Sequence, residues 1–139
     1  MQERIEQVKK IFDQHWSGNG LTIEELSERY ARIRQRPSSA SDLRPGGTVS
    51  GPFMMTLVDT TLYAAVLAAT GRKELAVTTS LNINFLAKPS ANVDIIAECN
   101  LLKVGRKLVV GEVSLYSDGN SQAIAHATGT YSLPSQTNK

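Results

Sequence analysis

Residues 44–63 read RPGGTVSGPFMMTLVDTTLY. A glycine-rich loop there runs straight into a long apolar stretch, so the pattern predicts a loop feeding a helix. Pro52 suits the first helical position, where its missing N–H would be unpaired anyway. Gly71 is a good C-terminal stop, so the helix is expected over about 52–70. One carboxylate, Asp59, sits two turns in, among Met54, Met55, Leu57, Val58, Leu62 and alanines. An acid in such company is costly unless it has a partner or a task. The helix start leaves backbone N–H groups unpaired and carries the positive end of the helix dipole. Such a place can hold a developing oxyanion.

Downstream, four segments have strand character: Leu75–Lys88, Val93–Val104, Lys107–Ser117 and Gln122–Ser132. Turn chemistry separates them at Pro89–Asn92, Gly105-Arg106 and Asp118–Asn120. In the first, Thr79, Leu81, Ile83 and Phe85 share one face, opposite Thr78, Ser80, Asn82 and Asn84. In the third, Val109, Gly111, Val113 and Leu115 oppose Leu108, Val110, Glu112, Ser114 and Tyr116. Upstream, Ile5, Val8, Ile11, Phe12 and Trp16 recur at helical spacing, which predicts an amphipathic helix over 2–16. Between Leu21 and Arg36 two signals compete. Thr22 and Glu25 form a capping-box pair, whereas YARIRQR alternates as a half-buried strand does. A strand or hairpin is the preferred reading.

The order is then short helix, strand or hairpin, long helix, and a four-stranded antiparallel meander. A long apolar helix is buried most economically by a curved sheet wrapped around it. Ala64, Ala65, Ala68 and Ala69 permit close approach. The expected class is α+β. Residues 1–20 form an N-terminal helix and turn, 21–134 the domain, and 135–139 a frayed polar tail.

With 139 residues the chain makes one domain, and its net charge of +2 gives no footprint for nucleic acid. The single Cys99 excludes an intrachain disulfide and fits a reducing compartment. The start MQERIEQVKK is charged and lacks an apolar signal core, so a cytoplasmic location is expected. The run Leu57–Ala69 is too short to span a bilayer, so no membrane partner is expected. His15 and His126 lack ligand spacing, so no metal is expected, and no nucleotide-binding glycine motif appears, so no cofactor is expected.

Three stretches together resemble the hotdog-fold acyl-CoA thioesterases, in particular the PaaI-like branch. They are Gly47–Pro52 followed by Asp59, AVTTSLNINFLAKP at 76–89, and GRKLVVGEVSLYSDG with AHATGTYSLP. The resemblance implies a hotdog fold, an acyl-CoA substrate and a homodimer or dimer of dimers. It also implies a site between two subunits, with Gly51 and Asp59 from different chains. Gly51 would give its N–H to the thioester carbonyl, and Asp59 would be the nucleophile or the base that activates water. Thr78 stands where some members use a serine to hold that water. Ser50, the second choice after Thr78 for the hydroxyl that fixes the water, replaces a common histidine, and Pro52 replaces a second glycine. Arg44 stands for an Asn or Gln that helps polarise the carbonyl, where an arginine would instead contact the ligand or an acid. Basic residues in loops comparable to those of Lys88, Arg106 and Lys107 meet the phosphates of coenzyme A.

Each residue also has a plainer explanation. Gly51 can be a tight-turn glycine, Ser50 an N-cap, and Asp59 the partner of an arginine or a threonine hydroxyl at a subunit interface. Lys88, Lys103, Arg106 and Lys107 can be solvated surface. Asn82 and Asn84 can bond across a dimer interface or line the substrate site. The favoured function is thioester hydrolysis. A non-catalytic acyl-CoA or small-ligand binding protein is the alternative. A dehydratase ranks third, because no suitable histidine lies near the helix.

Overall fold

The computed structural model describes residues 1–16, 18, 20–38, 42–71, 76–90 and 92–134. The expected tail 135–139 and the proposed strand start at Leu75 lie outside the described residues. Eight elements follow in order: α1 (Gln2–Trp16), β1 (Leu21–Leu26), β2 (Tyr30–Gln35), α2 (Gly51–Thr70), β3 (Val77–Phe85), β4 (Ile95–Val104), β5 (Leu108–Ser117) and β6 (Ala123–Ser132). Residues 21–36 therefore form a hairpin, not a capped helix. Alternation wins because Ala31 and Ile33 are fully buried on one face of β2.

All strands belong to one antiparallel sheet in the order β1-β2-β4-β5-β6-β3. This corrects the expected meander of four sequential strands. β4, β5 and β6 do form a meander, but β3 pairs with β6 at the far edge. Residues 86–94 carry the chain back across the sheet end. Leu86 and Ala87 donate backbone bonds to Ile124 O, and Ser90 N–H donates to Ser117 Oγ at 2.8 Å. The three strand spacings to be crossed come to about 14 Å, well within the reach of that segment.

α2 lies in the concave side of this sheet, with Leu57, Val58, Leu62, Ala64, Ala65 and Val66 fully buried. The alanines are one reason for the close approach. A glycine pair is another: Gly111 and Gly129 are cross-strand partners, and the Leu62 side chain fills the space above both. Both ends of α2 are closed as the sequence predicts. Ser50 is the N-cap, and Gly71 takes the left-handed conformation at φ 68° with its N–H on Leu67 O. Arg4 of α1 adds donors to the terminal carbonyls of Ala68 and Ala69, groups that helix geometry leaves without partners. Over its full length α2 is long and apolar enough to cross a membrane, unlike the run 57–69 alone. However, 67% of that span is buried inside the protein, as a core helix is. A six-stranded antiparallel sheet wrapped around a central helix is the hotdog architecture, here with an added N-terminal helix.

Candidate active site

The sheet leaves one stripe of α2 uncovered: Pro52, Met55, Thr56, Asp59 and Tyr63 are exposed or half-buried at helical spacing. Phe53 and Met54 turn inward to the core. Asp59 is thus the one carboxylate on the only accessible face of an otherwise apolar helix.

Among the described residues, no cation pairs with Asp59. Two hydroxyls hold it instead. Thr78 on β3 donates to Asp59 Oδ1 at 2.8 Å, and Tyr131 on β6 donates to the same oxygen at 2.8 Å. Thr78 and Tyr131 are cross-strand partners, and an irregularity of register between Thr78 and Ser80 turns Thr78 to the α2 side, away from the face it was expected to share with Ser80, Asn82 and Asn84. The Tyr131 hydroxyl also lies 3.2 Å from the Asp59 backbone oxygen. Burial raises the Tyr131 pKa most, and the Asp59 carboxylate adds to the rise, while a bond with Thr78 acts the other way. The phenol therefore stays protonated and donates. Thr78, expected to hold a water, spends its proton on the acid. Tyr131 was not singled out from the sequence. Its one signal was an inward register position on β6, which many core tyrosines share.

At the other end of the stripe the first helical N–H groups can be accounted for one by one. Pro52 has none. Phe53 N–H donates to Ser50 Oγ at 3.2 Å, and Met54 N–H donates to Ser50 O at 3.2 Å. Gly51 N–H has no acceptor among the described residues and is the donor left at the helix start. Ser50 is therefore the N-cap that the plainer reading anticipated, and it is fully buried. Gly51 has an ordinary φ, so the tight-turn explanation does not apply. A Cβ there would meet only the Phe85 ring edge, at 3.5 Å. Its helical place before a proline is the feature that favours glycine, because proline crowds a preceding Cβ.

The remaining expected residues do not gather at one place in the chain. Arg44 is exposed in the hairpin loop that precedes α2, closed by Arg44 N–H on Thr48 O at 2.7 Å. Lys88 is exposed just past the Phe85 end of β3, whereas Arg106 and Lys107 are exposed in the turn beside Ser132 at the opposite end of the sheet. Asn82 is exposed on the outer sheet face, paired with Thr128, away from α2. Cys99 is buried, as a core residue, with its thiol pushed up to about 12 by burial first. A recess of 310 Å³ lies on the outer face, lined among others by Arg32, Glu98, Tyr116 and Asp118. It is remote from Asp59, and its charges are already spent on one another: Arg32 pairs with Glu24 and Glu98, and Arg34 with Glu24, Asp94 and Asp118. Among the described residues no cluster of His, Cys, Asp and Glu could hold a metal.

Residues 46–124 match the Thioesterase superfamily model. Among solved structures the chain is similar to a candidate thioesterase from Silicibacter sp., at 38% identity and TM-score 0.83, over 94% of this chain and 91% of that one. It is similar in fold to zebrafish thioesterase superfamily member 2, at 23% identity and TM-score 0.80, over 94% of this chain and 98% of that one. The same holds for the Escherichia coli PaaI protein of the phenylacetic acid degradation operon, at 18% identity and TM-score 0.81, over 96% and 95%. No curated protein matches the sequence. A match over more than half of the chain, joined to a helix-start N–H and a hydroxyl-held carboxylate on one open face, makes this chain a member of the thioesterase superfamily.

Proposed function

We propose that the protein hydrolyses an acyl-CoA thioester in a site shared by two copies of the chain. Water and thioester give acid and thiol: a C–O bond forms, the C–S bond breaks, and the sulfur leaves with a proton. The Gly51 N–H receives the negative charge that develops on the carbonyl oxygen. Asp59 acts at the carbonyl carbon, as nucleophile or as the base that takes the proton of the attacking water. The observation that carries the reading is the pairing of a helix-start N–H and a carboxylate of which, among the described residues, the first has no acceptor and the second no cation.

Within one protomer these two groups cannot serve one carbonyl. Positions 51 and 59 lie about 12 Å apart along a helix axis. A reacting carbonyl needs both groups within about 3 Å of adjacent atoms. A second copy resolves this. β3 is an edge strand with no charge and no proline, the kind of edge that natural sheets rarely leave open. Val77 and Phe85 at its two ends and Leu86 just beyond are exposed, and exposed Met55 lies on the open stripe of α2. Asp59 sits at the Thr78 end of β3, and Gly51 at the Phe85 end. Antiparallel pairing of β3 with a second β3 reverses those ends. It sets Gly51 of one copy towards Asp59 of the other. The same reversal brings Lys88 of one copy to the end that carries Arg106 and Lys107 of the other, a basic set suited to coenzyme A phosphates. The homodimer, alone or as half of a dimer of dimers, is accordingly the working unit, and the lone buried Cys99 supports a cytoplasmic setting.

Thiol release across a panel of acyl-CoA thioesters tests the reading, with Asp59→Asn as control. Turnover should fall by about a hundredfold or more in that variant while its thermal transition is retained. Binding without release by the native chain would favour the ligand-binding alternative. Sedimentation as monomer alone at micromolar concentration would remove the shared site.

A further inference from the structure

Two hydroxyls on one carboxylate oxygen is an uneven arrangement. Oδ1 of Asp59 accepts from both Thr78 and Tyr131, while Oδ2 accepts from no described residue. We infer that Tyr131 is a positioning residue for Asp59: with Thr78 it loads Oδ1 and leaves Oδ2 as the oxygen that acts on the thioester. The inference rests on the thioesterase reading above and adds to it a residue and an atom.

The clamp is built to be stiff. Tyr131 is 3% exposed, and its hydroxyl reaches both the side chain and the backbone oxygen of Asp59, so it fixes the carboxylate relative to its own helical turn. The ring packs on Tyr63, centroids 5.9 Å apart, and Tyr63 in turn stacks on Phe12 of α1 at 6.4 Å. Tyr63 lies one turn beyond Asp59 on α2, so the phenol is backed by the same helix that carries the acid, with α1 behind it. An arginine in place of these hydroxyls would fix the acid but neutralise it. Neutral donors keep the full negative charge and remove the rotation of the carboxyl group. A carboxylate has room for about four acceptor contacts, so two on Oδ1 leave Oδ2 free for substrate or water. Positioning of this kind acts on the chemical step more than on substrate binding.

The test compares native protein, Tyr131→Phe, Thr78→Ser, Thr78→Val and the double variant Thr78→Val/Tyr131→Phe in thiol release from the best acyl-CoA of the panel. All are first confirmed as folded by their thermal transitions. Loss of one hydrogen bond to a charged group corresponds to about a tenfold fall or more. Tyr131→Phe should therefore lose about tenfold or more in kcat, with KM within about twofold. Thr78→Ser keeps its donor and should retain kcat within about threefold, while Thr78→Val falls as Tyr131→Phe does. The double variant, with Oδ1 stripped of both donors, should approach Asp59→Asn. An unchanged kcat in Tyr131→Phe overturns the inference and leaves the thioesterase reading intact. A loss confined to KM does the same. Absence of turnover in the native protein overturns both.

Discussion

Gly129→Ala probes the contact that sets how deeply α2 sits in the sheet. A Cβ at position 129 would lie 2.6 Å from Leu62 Cδ2 and 3.0 Å from Leu81 Cδ1. Carbon atoms prefer separations of about 3.5–4.0 Å, so Leu62 would have to retreat by about 1 Å. It has little room, because its other methyl, Cδ1, already sits over Gly111, 2.7 Å from where a Cβ would stand. Overpacking of this kind costs about 1–3 kcal/mol. The lower backbone entropy of alanine offsets about 0.5–1 kcal/mol of that. The net loss of about 0–2.5 kcal/mol should lower Tm by up to roughly 10 °C in a domain of this size. In a Leu62→Ala background, itself costing about 2–5 kcal/mol, the added methyl enters the vacated space. There Gly129→Ala should become neutral or stabilising, with a coupling energy of about 1–3 kcal/mol between the two sites. Urea titration of the four proteins in the cycle measures this directly. An equal penalty for Gly129→Ala in both backgrounds would show that Leu62 does not rest on the glycine pair.

Two further outcomes concern charge. Glu24 and Asp118 are held below their ordinary carboxylate values by hydrogen bonds from Arg34 above all. A depressed folded value adds stability that is present above the unfolded value and is lost as pH falls through the folded one. The Tm advantage of the native protein over Arg34→Met should therefore be small but steady near neutrality and shrink below about pH 4.5, the ordinary value for Glu24. A gap that widens on acidification would contradict this. Removing charge with Arg106→Ala and Lys107→Ala should raise KM for acyl-CoA by about threefold or more and leave kcat nearly unchanged. An unchanged KM would place both residues outside the coenzyme A contact.

Much of the fold can be read from local pattern. The glycine loop, Pro52 and Gly71 delimit α2, and alternation identifies β5 face by face, because a half-buried strand or capped helix writes its environment into neighbouring positions. The competition at residues 21–36 was also decided by alternation, with Ala31 and Ile33 as the buried pair. The partner of β3 is a different matter. Whether residues 86–94 turn back tightly or cross two strands depends on which edge satisfies the β3 backbone, and no local signal encodes that choice.

The site divides along the same line. Sequence alone determined that an acid lies on an apolar helix behind a glycine-rich start, because burial is costly for a carboxylate and spacing shows the helix. Residue type and place offered Ser50 both as a cap and as a catalytic hydroxyl, and its bond from Phe53 N–H decided for the cap. Only the tertiary structure decided what Asp59 touches. Thr78 and Tyr131 stand far apart in the chain and meet because β3 pairs with β6, and the same pairing leaves β3 as the open edge. Hydrogen-bond partners drawn from distant strands are fixed by sheet order, and sheet order arises from packing the whole core at once.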